Sequence, residues 1–292
     1  MSHNSGNARR ILLDGVFNCR DLGGYPCAGG KTTQCGRFIR CGIPFGPMGP
    51  DRARLAEIPV KTVIDLRGNG ESKVAPSAYA KEPDIVYHHY TLLEINPAYV
   101  EKVESQPLWE SYVCSLTEHK ENMAQVFHAI AAAPEGAVLF HCALGKDRTG
   151  IVAAMLLSLA EVDRLDIIAD YQISNTYLQP MFRTMVEDGN DIFDEEKNPH
   201  LKSDPETMEK FCTYLDETCG GTRAYLESIG VTSEEIDEAY RNLNLGSVTC
   251  NYLGQRLGHG GGYYDRFLSQ YRGGTVLPVS YTHLRAHETL SD

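Results

Sequence analysis

A chain of 292 residues with 42% hydrophobic residues can bury one sizeable core, while 39 Asp+Glu against 27 Lys+Arg leave a formal charge of -12. Without a basic run, that acidity argues against a nucleic-acid partner. No stretch of about 18 consecutive apolar residues occurs and Met1 to Ile11 holds no apolar signal core, so neither integral membrane association nor classical secretion is expected. Nine cysteines without a C-x2-C pair are too sparse for a disulfide scaffold and read as reduced thiols of a cytoplasmic protein.

Arg37 to Arg40 reads as a short strand and Asp51 to Ile58 as a helix. Lys61 to Arg67 is a β-branched run closed by Gly68-Asn69-Gly70, which predicts a strand ending in a turn. Ile85 to Tyr90 is a further strand, and Tyr99 to Leu116 and Glu121 to Ala133 carry helical patterns, the second stopped by Pro134 and Gly136. Ala137 to Phe140 is an apolar strand that runs into a polar loop; Thr149 to Ala160 is then a helix apolar nearly all round, hence central. Asp163 caps a helix through Ile173, Pro205-Glu206 opens one reaching Glu217, and Ser233-Glu234-Glu235 starts one ending near Leu243. Strands and helices interleaved in this way predict an α/β layer architecture. From Gly246 the character changes, since the last 46 residues hold seven glycines, four basic and three acidic residues. The expected organisation is a body over 1–246, a glycine-rich fragment over 247–278 and a tail over 279–292.

The stretch His141-Cys142-Ala143-Leu144-Gly145-Lys146-Asp147-Arg148-Thr149-Gly150 carries the chemistry. A buried strand delivers Cys142 to a tight loop that opens a long helix, where unpaired N–H groups and the amides of Ala143, Leu144, Gly145, Lys146, Asp147 and Arg148 can cradle a dianion. The same field favours thiolate over thiol, lowering Cys142 from the ordinary value of about 8.5. Arg148 follows six residues after Cys142, so a curled loop returns its planar fork to the sulfur, where it can hold two phosphoryl oxygens. Thiolate attack on phosphorus gives a cysteinyl-phosphate that water then hydrolyses, with no metal or cofactor required. Read blandly, Cys142 is a core hydrophobe and Lys146-Asp147-Arg148 a solvated turn; strand, Cys-x5-Arg, Thr-Gly and apolar helix in one run favour the cradle. A general acid must reach the ester oxygen within about 3 Å. Asp147 inside the loop, Asp65 at the end of a central strand and Asp21 are the candidates, although Asp147 can instead orient the loop and Asp65 can pair with Arg67 or Arg20. His88 and His89 are adjacent on a strand and point to opposite faces, which disfavours a shared metal.

His141 to Gly150 matches His-Cys-x5-Arg-Ser/Thr-Gly and so resembles the cysteine-dependent protein tyrosine phosphatase superfamily, more narrowly its bacterial tyrosine/serine and phosphoinositide branch. Phe17 to Tyr25, Val63 to Arg67 with Glu71, and Tyr171 to Leu178 fit that branch in order, so the resemblance covers about 10–245, with Cys19 where Phe is commoner. It implies a tyrosine-phosphatase-like central sheet flanked by helices, with Cys142 as nucleophile and Arg148 as phosphate clamp. It further implies that His141 tunes the thiolate, that Thr149 donates a hydrogen bond to the leaving sulfur, and that Asp147 replaces a mobile acid loop. Lys146 suits extra negative charge such as a phosphoinositide head group. The expected function is hydrolysis of phosphate monoesters, with protein phosphotyrosine as leading substrate, a phosphoinositide as alternative, and a non-catalytic phosphate-binding module as the rival outside catalysis.

Arg256, Gly258, Gly260, Gly262, Tyr263, Tyr264, Asp265 and Arg266 resemble the Arg-x-Gly-x-Gly-x-Gly-Tyr-Tyr-Asp-Arg motif of 5-formyltetrahydrofolate cyclo-ligase, an ATP- and magnesium-dependent folate enzyme. The match spans about 251–274, too short a scaffold to keep a glycine-rich loop convergent, which makes it a vestigial nucleotide/folate motif. Val279 to Thr289 is similar to a translated sequencing-library adaptor. The simplest expectation is a chimeric sequence in which a phosphatase frame is joined to these two pieces.

Overall fold

The computed structural model describes residues 9–45, 49–243, 248–250 and 256–259. In chain order it comprises β1 (Arg20–Asp21), β2 (Pro26–Cys27), β3 (Lys31–Thr32), β4 (Phe38–Cys41), α1 (Gly49–Ala56), β5 (Val60–Asp65), α2 (Asn69–Val74), β6 (Val86–His89), α3 (Pro97–Ser105) and α4 (Leu108–Thr117). There follow α5 (Lys120–Ala131), β7 (Ala137–His141), α6 (Asp147–Leu159), α7 (Arg164–Gln172), α8 (Ser174–Glu187), α9 (Pro205–Cys219), α10 (Thr222–Ser228), α11 (Ser233–Leu243), β8 (Val248–Cys250) and β9 (Arg256–His259).

The central sheet runs β1-β4-β7-β5-β6, with β1 antiparallel at one edge and the other four strands parallel. Parallel strands buried on both faces need apolar residues at every position, and the β7 sequence supplies them. Val138 and Phe140 enter a large cluster with Tyr112 of α4, Phe127 of α5, Ile151 of α6, Ile167 of α7 and Phe211 of α9. Ala137 and Leu139 point the other way, against Ile11, Val16, Leu55, Ile58 and Tyr79. The fold is therefore α/β, a mixed sheet flanked by helices, and α6 is the central helix that its all-round apolar sequence predicts.

Four helical features depart from the sequence reading. The helix predicted over Tyr99 to Leu116 is two helices, because Pro107 holds Gln106 extended (φ -133°, ψ 155°) and lacks the N–H that would continue the ladder. Gly68-Asn69-Gly70 opens α2 instead of a bare turn, since the Glu71 carboxylate accepts the Gly68 N–H at 2.9 Å. The sequence reading leaves α8, which holds Pro180 inside it, unassigned, and likewise α10, which follows a glycine pair in which Gly220 ends α9 at φ +77°. Among the described residues Cys19, Cys41, Cys142 and Cys212 are free, whereas Cys35 is disulfide-bonded, against the expected reduced set.

No helix among the described residues is long and apolar enough to cross a membrane. Arg256 and Gly258 fall in β9, which pairs antiparallel with β8. Gly260, Gly262, Tyr263, Tyr264, Asp265, Arg266 and the 279–289 stretch lie outside the described residues.

Candidate active site

β7 ends at His141, so Cys142 emerges at the carboxyl edge of the parallel strands, where open α/β sheets collect their ligands. Its side chain is 2% exposed. The loop then closes against the end of β4: Gly145 has φ +67°, and a Cβ there would lie 2.3 Å from the Cys41 carbonyl carbon. Only glycine fits both demands. The loop carbonyls are held from the outside. Ala143 O accepts from Ile43 N at 2.9 Å, Leu144 O from Asn18 Nδ2 at 3.1 Å, and Gly145 O from Asn18 Nδ2 at 3.0 Å and Arg40 Nη2 at 2.7 Å.

Arg148, 4% exposed, stands in the first turn of α6 and is gripped by α2. Its Nη1 donates to Glu71 Oε2 at 2.5 Å and to Leu93 O at 3.3 Å, and its Nη2 donates to Glu71 Oε1 at 2.9 Å. A guanidinium carries five N–H donors in a plane. Those three contacts leave Nε–H and the second Nη2–H, which share one edge and can take two oxygens of one phosphoryl group. Burial alone would lower the Arg148 pKa, but the Glu71 hydrogen bonds and the nearby Cys142 and Asp147 raise it, so the cation is permanent.

Lys146 is not the exposed side chain that its position in a polar loop suggests. It is 1% exposed, and Nζ donates to Asp147 Oδ1 at 2.7 Å, His200 O at 2.8 Å and Lys202 O at 3.3 Å. Burial opposes its charge, but Asp147 outweighs burial and raises the pKa. Asp147 is partly exposed, and Oδ1 also accepts from the Tyr112 hydroxyl at 2.6 Å, itself 2.7 Å from the Tyr171 hydroxyl.

Asp65 has no exposed surface. It accepts from Arg67 Nε at 2.9 Å, Arg67 Nη2 at 2.6 Å and the Tyr87 hydroxyl at 2.7 Å. Burial would raise its pKa, yet the hydrogen bonds from Arg67 and Tyr87 hold it well below the usual carboxylate range. Such a group carries no proton to donate near neutral pH. His141 is its register partner on β7 and lies with Nδ1 3.9 Å from Asp65 Oδ1 and 3.1 Å from the Cys142 carbonyl. Burial lowers the imidazole pKa, keeping it neutral. Thr149 Oγ1 is buried and hydrogen-bonds to no atom of the protein, so the donation to sulfur expected of it is not formed here.

Asp21 illustrates why a displaced pKa does not by itself mark a catalytic group. Burial pushes its carboxyl up to about 6 against the amides of Gly36 and Gly23, which donate to it at 2.6 Å and 2.8 Å, and those contacts belong to the β1 edge. Because the folded value is raised above 3.8, its stabilising contribution is complete below that pH and is lost as pH rises through about 6. A carbon-detected NMR titration is expected to find the Asp21 carboxyl titrating near 6; a midpoint near 4 would mean that the group is solvated. His88 and His89 diverge as their strand requires: His88 Nδ1 meets the Tyr90 hydroxyl at 3.1 Å and His89 Nε2 meets Arg67 O at 2.8 Å. Among the described residues no cluster of metal-ligating side chains forms.

The model of the tyrosine phosphatase family matches residues 11–244. The chain belongs to this family. It is 33% identical over 207 residues to a tyrosine-protein phosphatase of Nostoc commune, covering 64% of this chain and 67% of the relative. A Cupriavidus necator protein whose name likewise carries the words tyrosine-protein phosphatase is 29% identical over 173 residues, 56% of this chain and 63% of the relative. The triple specificity protein phosphatase PtpB of Mycobacterium tuberculosis is 34% identical over 106 residues, 36% of each chain. The chain thus spans about two thirds or less of these relatives. The family match stops before residue 247, so the cyclo-ligase-like and adaptor-like stretches draw no support from it.

In this phosphatase-family chain the buried support of the loop escaped the sequence reading. Asp170 accepts from Arg20 Nε at 2.9 Å, Arg40 Nη1 at 2.5 Å and the Tyr25 hydroxyl at 3.0 Å, and Ser174 Oγ lies 3.2 Å from both Asn18 Nδ2 and Arg20 Nη2. Asn18, Arg20 and Ser174 sit inside stretches that resemble the family, and Arg40 could have been flagged as a charge at the end of an apolar strand. Tyr112 and Asp170 carry no local signal.

Proposed function

We propose that this chain hydrolyses phosphate monoesters, with protein phosphotyrosine as substrate, through a cysteinyl-phosphate on Cys142. The observation that carries the reading is a buried thiol at the mouth of a parallel sheet, ringed by a loop whose carbonyls are bonded outward and whose terminal arginine keeps one donor edge free. In the first step Cys142 Sγ attacks phosphorus, the ester P–O bond breaks and the leaving oxygen takes a proton from Asp147. In the second, Asp147 accepts a proton from water, water attacks phosphorus, and the S–P bond breaks to release inorganic phosphate. Arg148 holds two phosphoryl oxygens throughout. Asp147, itself paired with Lys146 through Oδ1, suits the acid role better than Asp65 because it is partly exposed at the rim, whereas Asp65 has no exposed surface.

Protein substrate is favoured over a phosphoinositide by the position of Lys146. All three of its donors are engaged inside the protein, so it has none for a second phosphate of a lipid head group. Catalysis lies within residues 1–246, since every site residue named falls between Asn18 and Lys202 and the family match ends at 244.

The test is a comparison of initial rates on a phosphotyrosyl peptide and on vesicles carrying phosphatidylinositol 3-phosphate; faster lipid turnover would reverse the substrate assignment. Asp147→Asn is expected to slow phenyl phosphate by about 100-fold or more and p-nitrophenyl phosphate far less, because a nitrophenolate leaves without a proton. Equal losses on both esters would remove Asp147 from the acid role.

A further inference from the structure

A trans peptide holds its C=O and its N–H antiparallel. Outward carbonyls at Ala143, Leu144, Gly145 and Lys146 therefore turn the N–H groups of Leu144, Gly145, Lys146 and Asp147 toward the inside of the loop. Among the described residues none of these four amides has an acceptor in the protein. The direction of the anion cradle is thus decided by whatever holds the carbonyls, and two side chains hold three of them.

Asn18, 3% exposed, takes Leu144 O and Gly145 O from the left-handed conformation (φ +58°), where its Oδ1 accepts from Arg20 Nη1 at 2.6 Å. Arg40, with no exposed surface, takes Gly145 O at 2.7 Å and Lys146 O at 3.4 Å with Nη2 while Asp170 fixes Nη1. The same Nη2 lies 3.7 Å from where a Cβ on Gly150 would sit, under the first turn of α6. Arg20, Arg40 and Asp170 together leave one buried positive charge beneath the loop. Burying two guanidiniums against one carboxylate is a costly way to fill a core, and apolar residues of similar volume would serve stability as well.

We propose that Asn18 and Arg40 are positioning residues of the phosphate site, which aim the loop amides inward, and that Arg40 adds a second cation behind the anion, oriented by Asp170. The inference rests on the phosphate-site reading above and adds to it where the site's selectivity for a dianion is built.

The full chain and its Arg40→Met, Arg40→Lys and Asn18→Gly variants would be titrated with inorganic phosphate by calorimetry, with nitrogen-15 amide spectra recorded alongside. Wild type is expected to bind phosphate and move the amide protons of residues 144–147 downfield. Arg40→Met and Asn18→Gly should each weaken phosphate by about tenfold or more, the equivalent of one good hydrogen bond, and lose those shifts. Arg40→Lys should recover part of the affinity, because it keeps the charge but not the fork. Glycine accepts the backbone of residue 18, so Asn18→Gly carries the test if Arg40→Met does not fold. A folded Asn18→Gly protein that binds phosphate within twofold of wild type with the same amide shifts overturns the inference. A wild type that neither binds phosphate nor hydrolyses monoesters overturns the underlying reading instead.

Discussion

Cys142→Ser is expected to cut turnover of p-nitrophenyl phosphate by roughly four orders of magnitude or more while leaving inorganic phosphate bound. A serine hydroxyl stays protonated near neutral pH and needs a base at its side to attack phosphorus. The imidazole nearest in sequence, His141, has Nδ1 directed at the residue 142 carbonyl and is neutral and buried, so it is not set to activate a hydroxyl. The donors proposed to hold phosphate, the loop amides and the free edge of Arg148, do not depend on sulfur. Parallel measurement of hydrolysis and of phosphate binding checks both halves. A residual rate within about 100-fold of wild type would point to direct attack by water and away from a covalent intermediate.

Asp170→Asn is expected to destabilise the fold by about 3–5 kcal/mol, because it leaves Arg20 and Arg40 buried without a counter-charge. Burial would raise the Asp170 pKa, but its two arginines hold it well below the ordinary carboxylate value. Its stabilising contribution is therefore present above the unfolded value near 4 and is lost as pH falls through the depressed folded value. The variant should lose that acid-side dependence as well as stability. Urea unfolding at pH 7 and at about pH 2, inside the window between the unfolded and folded values, reads both effects. A loss below about 1 kcal/mol at pH 7 would mean that the arginines find solvent or new acceptors.

The strand, loop and central helix were legible because their signals are contiguous: an apolar run, a cysteine, a glycine, an arginine six residues on, then an unbroken apolar helix. The sequence offers Asp65 both as acid and as ion-pair partner, and what separates the two roles is the two-point Arg67 contact, closed off by the Tyr87 hydroxyl that the parallel pairing of β5 with β6 brings 2.7 Å away. Lys146 resembled a solvent-facing side chain until the turn at 200–202 returned over it, more than fifty residues later. The polar cage was missed for the same reason, as Arg20 and Asp170 are 150 residues apart. Pro107 and Pro180 act in opposite ways. The first splits a helix read as continuous, and the second is accommodated inside α8, which the sequence reading leaves unassigned.

The Glu71 grip on Arg148 has an outcome for how such an enzyme can be adjusted. The carboxylate that aims the clamp belongs to α2, six residues long and anchored on the surface, where Val74 is 87% exposed. On the proposed phosphate-site reading, the tightness of anion capture is consequently tunable from outside the signature loop. Substitutions along this one helical turn and a half would then change grip strength while Cys142 and the loop amides stay untouched.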